Sequence, residues 1–291
     1  MKNKNRIIKI LIFIIAYTFL FFKIKDKDFS FISNLNIFYL LVSIALMLAN
    51  WFLESKKWQI ILKAINKEIS FHESIISVMT GLSAGIFTPN RIGEYVGRSL
   101  IGNNKKEKTE IFIASIISSI IQSSVTLISG IFAYFYILKK YNKSYVFIAL
   151  IFIYIAILSF LAFLKKENVK KVVLTFKNKG ILFFLKIFSL SAIRFLIFSI
   201  QLFFVFLSFN SPESFGKIFI AISGLYFITM FIPSFFWSEL GIRGSIAAYI
   251  FPLCNINAEL SIIAISVIWL INIALPISIS GIYTLTIGKE R

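Results

Sequence analysis

Long apolar runs recur from one end of the chain to the other, and they constrain its fold more than any other feature of the sequence. A soluble domain carries about 25% charged residues, whereas this chain of 291 residues has 15% charged and 58% hydrophobic residues. The strands of an outer-membrane barrel alternate in polarity and contain no such runs. The sequence therefore predicts an all-α polytopic membrane protein with about six full spans, at residues 7–22, 34–54, 110–138, 144–164, 181–209 and 259–285.

Two further segments, 74–101 and 216–251, are apolar but do not have the pattern of a single spanning helix. Each contains a short apolar run, then a proline, then a glutamate and an arginine four residues apart. These residues are Pro89, Glu94 and Arg98 in the first segment and Pro233, Glu239 and Arg243 in the second. Proline interrupts helical hydrogen bonding, and non-helical backbone at membrane depth persists only where it is buried in protein or lines water. We therefore expect two broken re-entrant helical hairpins.

The order of the segments predicts an inverted repeat within a single integral membrane domain, because each broken segment lies between spans of opposite direction. The parts of this domain are an extra N-terminal span (1–33), repeat one (34–138), a span with a basic cytoplasmic loop (139–180) and inverted repeat two (181–285). Lysine and arginine are concentrated on one side of this arrangement, which predicts cytoplasmic N- and C-termini. The expected location is the bacterial cytoplasmic (inner) membrane.

The formal net charge of +18 is best explained by anionic lipid headgroups, because the basic residues separate apolar runs. Nucleic acid is therefore not an expected partner. The lysines are predicted to lie in loops, at span ends and in an interfacial amphipathic helix over 56–69. Four arginines instead lie inside apolar segments, where a charge costs at least ~2.5–3.5 kcal/mol on insertion scales. They are Arg91, Arg98, Arg194 and Arg243.

The two breaks and these arginines predict a pocket for an anion, since the arginine fork suits phosphate or carboxylate. Arg91 is the first ligand candidate because no acid lies at helical spacing from it in this interpretation. The helices that resume near Thr88–Asn90 and Ser238 are expected to point N–H groups into the pocket. The predicted substrate-binding residues are Pro89, Asn90, Arg91, Gly93, Glu94, Arg98, Pro233, Glu239, Gly241 and Arg243.

Alternatives stay open at this point. The i,i+4 spacing predicts two ion pairs, Glu94–Arg98 and Glu239–Arg243. These pairs either bind substrate or only hold the two repeats together. Gln122 and Arg194 are candidate polar residues of the cavity, and a repeat glutamate is the candidate partner of Arg194. One helical face carries Ser115, Ser119, Gln122, Thr126 and Ser129, for which small-residue helix packing is the favoured interpretation.

Motifs for chemistry are not found in the sequence. It contains no metal-ligand cluster, no nucleophilic triad and no phosphate-cradling glycine loop before a lysine. We therefore expect no cofactor, no metal site and no enzymatic activity on this chain.

Residues 86–101, IFTPNRIGEYVGRSLI, resemble a signature of the lysylphosphatidylglycerol synthase transmembrane-region family, also called flippase-like domain proteins. The family pattern Pro-x-Arg-x-Gly-Glu followed by arginine maps to Pro89, Arg91, Gly93, Glu94 and Arg98. A second family pattern is matched in part, at Pro233, Gly241 and Arg243. It departs at two positions, because Glu239 stands where the family often has glycine and Gly244 where it often has glutamate. The resemblance covers roughly residues 34–285.

The resemblance implies a membrane domain of inverted repeats that handles lipids with polar headgroups. Bifunctional family members move an aminoacylated phospholipid between leaflets after a separate cytosolic domain makes it, and other relatives are linked to polyprenyl-phosphate sugar pathways. Because no such cytosolic domain is present in this sequence, the chain is expected not to be the synthase itself.

The expected function is that of a flippase for a lipid with an anionic or phosphate-bearing headgroup, of the aminoacyl-phospholipid or polyprenyl-phosphate-sugar type. One alternative is a non-transporting partner of a glycolipid or cell-envelope enzyme, and a weaker one is a carrier of small organic anions. The expected partner is thus a phospholipid or polyprenyl-phosphate lipid, with a homodimer or an envelope-biosynthesis enzyme as further candidates.

Overall fold

The computed structural model describes residues 35–86, 88–140, 167–211, 213–276 and 278–279, and this part of the chain is helical without strands. The predicted spans at 7–22 and 144–164 lie outside the described residues. The helices are α1 (Ile37–Ala64), α2 (Phe71–Gly85), α3 (Gly93–Ser99), α4 (Lys105–Lys140), α5 (Glu167–Lys177), α6 (Gly180–Ser208), α7 (Phe215–Thr229), α8 (Phe236–Leu253) and α9 (Ala258–Trp269), which continues as a π-helical turn over Leu270–Ala274.

Three of these helices, α1, α4 and α6, are long and apolar enough to cross a membrane. They match the predicted spans 34–54, 110–138 and 181–209, and the shorter apolar helices α7 and Ala258–Ala274 accompany them. Large apolar side chains on α1 and α4 remain more than half exposed, as expected of surfaces that face lipid. The chain is therefore a multi-pass helical membrane protein, while the total of six spans and the inverted repeat stay predictions.

The prediction of an interfacial helix over 56–69 is wrong. Helix α1 continues without a break to Ala64, and Lys57 and Trp58 on this part of it are almost completely buried. The indole N–H of Trp58 donates to Ser77 Oγ on α2 at 2.9 Å. The amphipathic pattern therefore belongs to the end of α1, where Lys57 and Trp58 are packed inside the protein and Lys63 is exposed.

The basic segment 165–180 is also more ordered than the predicted loop, because it contains α5. Val169, Val172 and Phe176 recur at the spacing of one helical face and are each almost fully buried, whereas Lys170 and Lys177 are exposed. One apolar face thus packs on the protein and the lysines point outward.

Asparagine ends three of the helices in the same way. Asn66, Asn210 and Asn255 follow α1, α6 and α8 with φ values of 61°, 54° and 59°. After α1, the N–H of Lys67 donates to the Leu62 carbonyl at 2.9 Å, and equivalent bonds follow the other two helices. This is the Schellman arrangement, which needs a left-handed residue that asparagine tolerates better than most side chains.

Both segments predicted to be broken are helix–break–helix units. Helix α2 ends at Gly85, a tight turn follows over Pro89–Arg91, and α3 packs back against α2. In the second unit, α7 ends at Thr229 and α8 begins at Phe236, with Pro233 in the non-helical stretch between them. Helical structure resumes as a 3₁₀ turn at Pro89, followed by α3 from Gly93, and α8 begins at Phe236, two residues before the predicted Ser238.

Glycine allows α2 and α3 to approach closely. A Cβ atom added at Gly97 would lie 2.6 Å from the Thr80 carbonyl oxygen and 2.8 Å from Gly81 Cα. We expect Gly97→Ala to lower the free energy of unfolding by about 1–3 kcal/mol, because the two backbones must separate. Gly216→Ala is the matched control, since no atom lies within 4 Å of its added Cβ. Thermal unfolding in detergent measures both, and equal midpoints would contradict the close contact.

Two apolar clusters hold the described helices together. The first contains side chains of α1, α2, α4, α5 and α6, with Trp58 and Phe176 among its largest members. The second contains side chains of α4, α6, α7, α8 and α9, including Phe206 and Phe251, whose rings stack at 5.9 Å. Helices α4 and α6 contribute to both clusters, so they fix the position of the first broken segment relative to the second.

Candidate binding cavity

A polar cavity of about 490 Å³ lies among these helices. Five cationic and two carboxylate side chains line it within the described part of the chain. Its charged and amide side chains are Asn50, Glu54, Lys57, Asn90, Arg91, Glu94, Arg98, Gln122, Arg194, Arg243 and Asn272. The cavity therefore receives side chains from both broken segments and from α1, α4, α6 and the turn after α9.

Glu54 is the centre of the largest group of charges. Its Oε1 accepts from Arg98 Nη1 at 2.7 Å, and its Oε2 accepts from Lys57 Nζ at 2.8 Å. Arg194 Nη1 also contacts Oε2. We call Glu54, Lys57, Arg98 and Arg194 the Glu54 cluster. Burial of a carboxylate inside a membrane protein is tolerated when cations satisfy it in this way.

Amide side chains connect the Glu54 cluster to the middle of three long helices. Gln122 Oε1 accepts from Arg194 Nη1 at 3.0 Å and from Lys57 Nζ at 3.2 Å. Asn50 Oδ1 accepts from Arg194 Nε at 2.7 Å. The midpoints of the three helices are Asn50 in α1, Gln122 in α4 and Arg194 in α6. The group therefore lies at the mid-length of three helices that are long and apolar enough to cross a membrane.

Arg91 follows the break in the first segment and adopts an unusual backbone conformation. Asn90 and Arg91 have φ values of 48° and 57°, in the left-handed region that costs a non-glycine residue of order 1 kcal/mol or more. Arg91 Nε contacts Glu94 Oε1 at 2.7 Å. Its Nη2 atom is buried without a hydrogen-bond partner among the described residues. An unsatisfied guanidinium nitrogen in a cavity lining is a donor available to a ligand.

Arg243 is held by two groups of the second broken segment. It forms an ion pair with Glu239 one helical turn earlier on α8, and its Nη1 donates to the Tyr226 hydroxyl at 3.0 Å. The guanidinium carbon lies 5.0 Å from the centre of the Tyr226 ring. The Glu239–Arg243 pair predicted from the sequence is therefore confirmed.

The two breaks contact each other directly. The N–H of Asn90 donates to the Ser234 carbonyl at 2.8 Å, and the N–H of Ser234 donates to Asn90 Oδ1 at 2.7 Å. Pro233 immediately precedes this contact and Pro89 opens the turn on the other side. The two prolines thus supply the non-helical backbone through which the segments meet.

The predicted Glu94–Arg98 pair is wrong, and so is the expectation that Arg91 lacks a local acid. Glu94 pairs with Arg91 three residues earlier, while Arg98 reaches Glu54 on another helix. Gly81 explains the direction of Arg98, because a Cβ at that position would lie 2.8 Å from Arg98 Cγ. Arg194 contacts Glu54, which lies in repeat one but outside its broken segment, rather than Glu94 or Glu239.

Seven of the predicted site residues line the cavity, and these are Asn90, Arg91, Glu94, Arg98, Gln122, Arg194 and Arg243. The other predicted site residues do not line the cavity, and these are Pro89, Gly93, Pro233, Glu239 and Gly241. Gly93 is buried where α3 crosses α2, and its N–H donates to Thr88 Oγ1 at 2.6 Å, so this helix start does not offer that donor to a ligand. Gly241 is buried within α8.

The polar face of α4 is part of the cavity rather than a packing surface alone. Ser115, Ser119, Gln122 and Thr126 line the cavity, while Ser129 does not. Ser119 Oγ accepts from the Tyr95 hydroxyl at 2.9 Å, which connects α4 to the first broken segment. The favoured interpretation of this stripe as packing is therefore incomplete.

Glu54 and Lys57 are functional-site candidates that the sequence interpretation missed. Glu54 was assigned to the end of a span and Lys57 to an interfacial helix over 56–69, and charged side chains are common in both places. The sequence does contain a pattern that indicates a continuing helix, because Glu54 and Lys57 lie three residues apart and are followed by Trp58 and further apolar residues. Continuation of the helix through this stretch would have placed both charges inside the protein.

No group of His, Cys, Asp or Glu side chains able to hold a metal ion occurs within the residues that the structure describes.

The fold and the cavity together define a multi-pass helical membrane protein with a charged cavity between its helices. Residues 6–281 match the sequence model of the family described as Lysylphosphatidylglycerol synthase TM region, and the chain therefore belongs to this family. Membership extends over nearly the whole chain and supports a membrane function related to lipids. Neither the curated proteins nor the solved structures contain a significant match.

Proposed function

We propose that the protein moves a lipid with an anionic or phosphate-bearing headgroup between the leaflets of the membrane. The observation that supports this most strongly is the charge of the cavity, where five cations face two lining carboxylates. One of these cations, Arg194, lies at the midpoint of α6, which is long enough to span a membrane. Polar and ionisable groups at this depth are costly and usually mark a path for a polar substrate. An anionic headgroup supplies the negative charge that the cavity lacks.

The size of the cavity favours a headgroup rather than a whole lipid. A volume of about 490 Å³ falls within the roughly 300–1,000 Å³ of pockets that hold small molecules. In this proposal the headgroup enters the cavity while the acyl or polyprenyl tails remain in the bilayer. Aminoacyl-phospholipids and polyprenyl-phosphate sugars are the proposed substrate types, because both carry a phosphate.

Arg91 and Arg243 act as headgroup ligands in this proposal. Each is oriented by a carboxylate one turn away, Glu94 and Glu239 respectively, and Arg91 retains an unpaired nitrogen. Arginine binds phosphate with two parallel N–H donors, so an oriented guanidinium loses little freedom on binding. The lipid is moved without chemical change, and no cofactor takes part. We place the protein in the bacterial cytoplasmic membrane with both termini in the cytoplasm.

A lipid-scrambling measurement in liposomes tests the proposal. Purified protein is reconstituted with fluorescent phosphatidylglycerol, and dithionite reports how much of the label reaches the outer leaflet over time. Wild type is expected to accelerate this movement, and Arg91→Ala to slow it about tenfold, because a charge-assisted hydrogen bond to the headgroup is lost. Lys63→Ala, which removes a cation from a largely exposed pair with Glu68, should leave the rate unchanged.

The outcome also separates the alternatives. If wild type does not move the lipid at all, the flippase proposal fails. An envelope-biosynthesis enzyme that co-purifies stoichiometrically with such an inactive protein would favour the non-transporting partner. Uptake of a labelled organic anion without lipid movement would favour a solute carrier.

A further inference from the structure

The Glu54 cluster carries more positive charge than its own residues neutralise. Three cations, Lys57, Arg98 and Arg194, contact a single carboxylate, which leaves an excess of two positive charges. The side chains are 2% exposed for Lys57, 10% for Arg98 and 20% for Arg194. Water therefore solvates these charges poorly, and the free energy of the site falls when a further anion enters.

Neighbouring groups do not supply that anion. Asn50 and Gln122, which also contact these cations, are neutral amides. Glu94, the second carboxylate that lines the cavity, interacts with Arg98 and Arg194 only through space, because its direct ion pair is with Arg91, whose charge it balances. Within the described residues, the cluster thus contains one carboxylate for three cations.

Donor atoms remain for a ligand as well. In the described part of the chain, the hydrogen bonds of Arg98 and Arg194 use Nη1 and, for Arg194, Nε, so the Nη2 atom of each guanidinium has no acceptor. Both guanidiniums line the cavity. The guanidinium of Arg98 is also held 5.3 Å from the centre of the Trp58 ring, and this fixes its plane. Oriented Nη2 donors beside a lysine match the several acceptor oxygens of a phosphate.

We propose that Lys57, Arg98 and Arg194 form a phosphate seat, and that Glu54 lowers its affinity so that the phosphate can leave again. The proposal rests on the function proposed above, and it names three cations that bind the phosphate of the headgroup in addition to Arg91 and Arg243. Glu54 occupies one donor of each cation when the seat is empty. A phosphate monoester or diester then binds to the remaining donors and competes with Glu54 for all three cations. Without Glu54 the phosphate would bind more tightly and dissociate more slowly.

A series of variants with different cluster charge tests the seat. Relative to an excess charge of two in the wild type, Lys57→Met lowers the charge by one and Glu54→Gln raises it by one. We expect the affinity for fluorescent phosphatidylglycerol in detergent to fall about tenfold in Lys57→Met and to rise about tenfold in Glu54→Gln. The double variant returns the charge to two, and it should recover most of the affinity that Lys57→Met loses. Thermal unfolding with and without the lipid identifies any variant that does not fold.

Two further probes distinguish the ligand. A fluorescent diacylglycerol has similar tails but no phosphate, and its affinity should be the same in all four proteins. Inorganic phosphate tests whether the free anion competes with the lipid. Competition means that the seat recognises phosphate itself. If inorganic phosphate does not compete but the four proteins still differ in phosphatidylglycerol affinity as expected, the lipid tails are also needed for binding. Both results support the seat.

Equal phosphatidylglycerol affinities across the folded variants would overturn the seat, as would a diacylglycerol affinity that follows the cluster charge. The flippase function proposed above and the phosphate seat can be disproved independently of each other. If affinities follow the cluster charge but wild-type protein does not move lipid in liposomes, the seat exists in a lipid-binding protein that is not a flippase. If wild type moves lipid and the affinities do not change, the headgroup binds elsewhere in the cavity.

Discussion

Replacing Glu54 by alanine is expected to lower the free energy of unfolding by about 3–5 kcal/mol, which is the usual effect of removing one partner from a buried ion pair. The reason is specific to this site, because three cations lose their common carboxylate at once. Thermal or denaturant unfolding of the purified protein in detergent, without added anionic lipid, measures the change.

A matched control is present in the same part of the chain. Glu68 forms an ion pair with Lys63 in which both side chains are about three-quarters exposed, and an exposed pair contributes roughly 0–1 kcal/mol. Glu68→Ala should therefore unfold at nearly the wild-type midpoint. Similar midpoints for Glu54→Ala and Glu68→Ala would show that the cluster does not hold α1, α3 and α6 together. Added anionic lipid should stabilise Glu54→Ala more than wild type if the phosphate seat is correct.

Linking the two breaks covalently is expected to stop lipid movement. Asn90 and Ser234 form reciprocal hydrogen bonds of 2.8 and 2.7 Å across the breaks, and these segments must move apart if access to the cavity alternates between the two sides. Cysteines at both positions, joined by a disulfide or a short bis-thiol reagent, should reduce the scrambling rate by at least about tenfold. Reduction of the disulfide should restore the rate.

The cross-linking experiment has its controls within the chain. The native cysteine, Cys254, is buried and not in a disulfide, and a Cys254→Ala background prevents it from reacting. Asn90→Cys and Ser234→Cys alone show what each substitution does without a link, which matters because Asn90 has a positive φ. Full transport by a protein whose cross-link is complete by mass spectrometry would mean that this contact stays closed during the cycle.

Local features of the sequence predict much of the architecture. The apolar runs 34–54, 110–138 and 181–209 correspond to α1, α4 and α6. The prolines at 89 and 233 mark real breaks between helices. These predictions succeed because hydropathy over some 20 residues and the missing proline N–H act within one stretch of chain. The two errors in secondary structure, at 56–69 and 165–180, occur where an amphipathic helix packs on protein rather than on water or lipid headgroups.

The sequence by itself determined that the chain spans membranes with helices, where two of its segments break, and which four arginines need partners inside apolar surroundings. Only the tertiary structure decided which partner each arginine finds. Arg98 and Arg194 contact the same carboxylate, Glu54, across separations of 44 and 140 residues, and the local rule of i,i+4 pairing holds for Arg243 alone. The physical reason is that hydropathy and helix breaks are properties of consecutive residues. The partner of a buried charge depends instead on which faces of distant helices meet, and helix packing and glycine contacts set that arrangement.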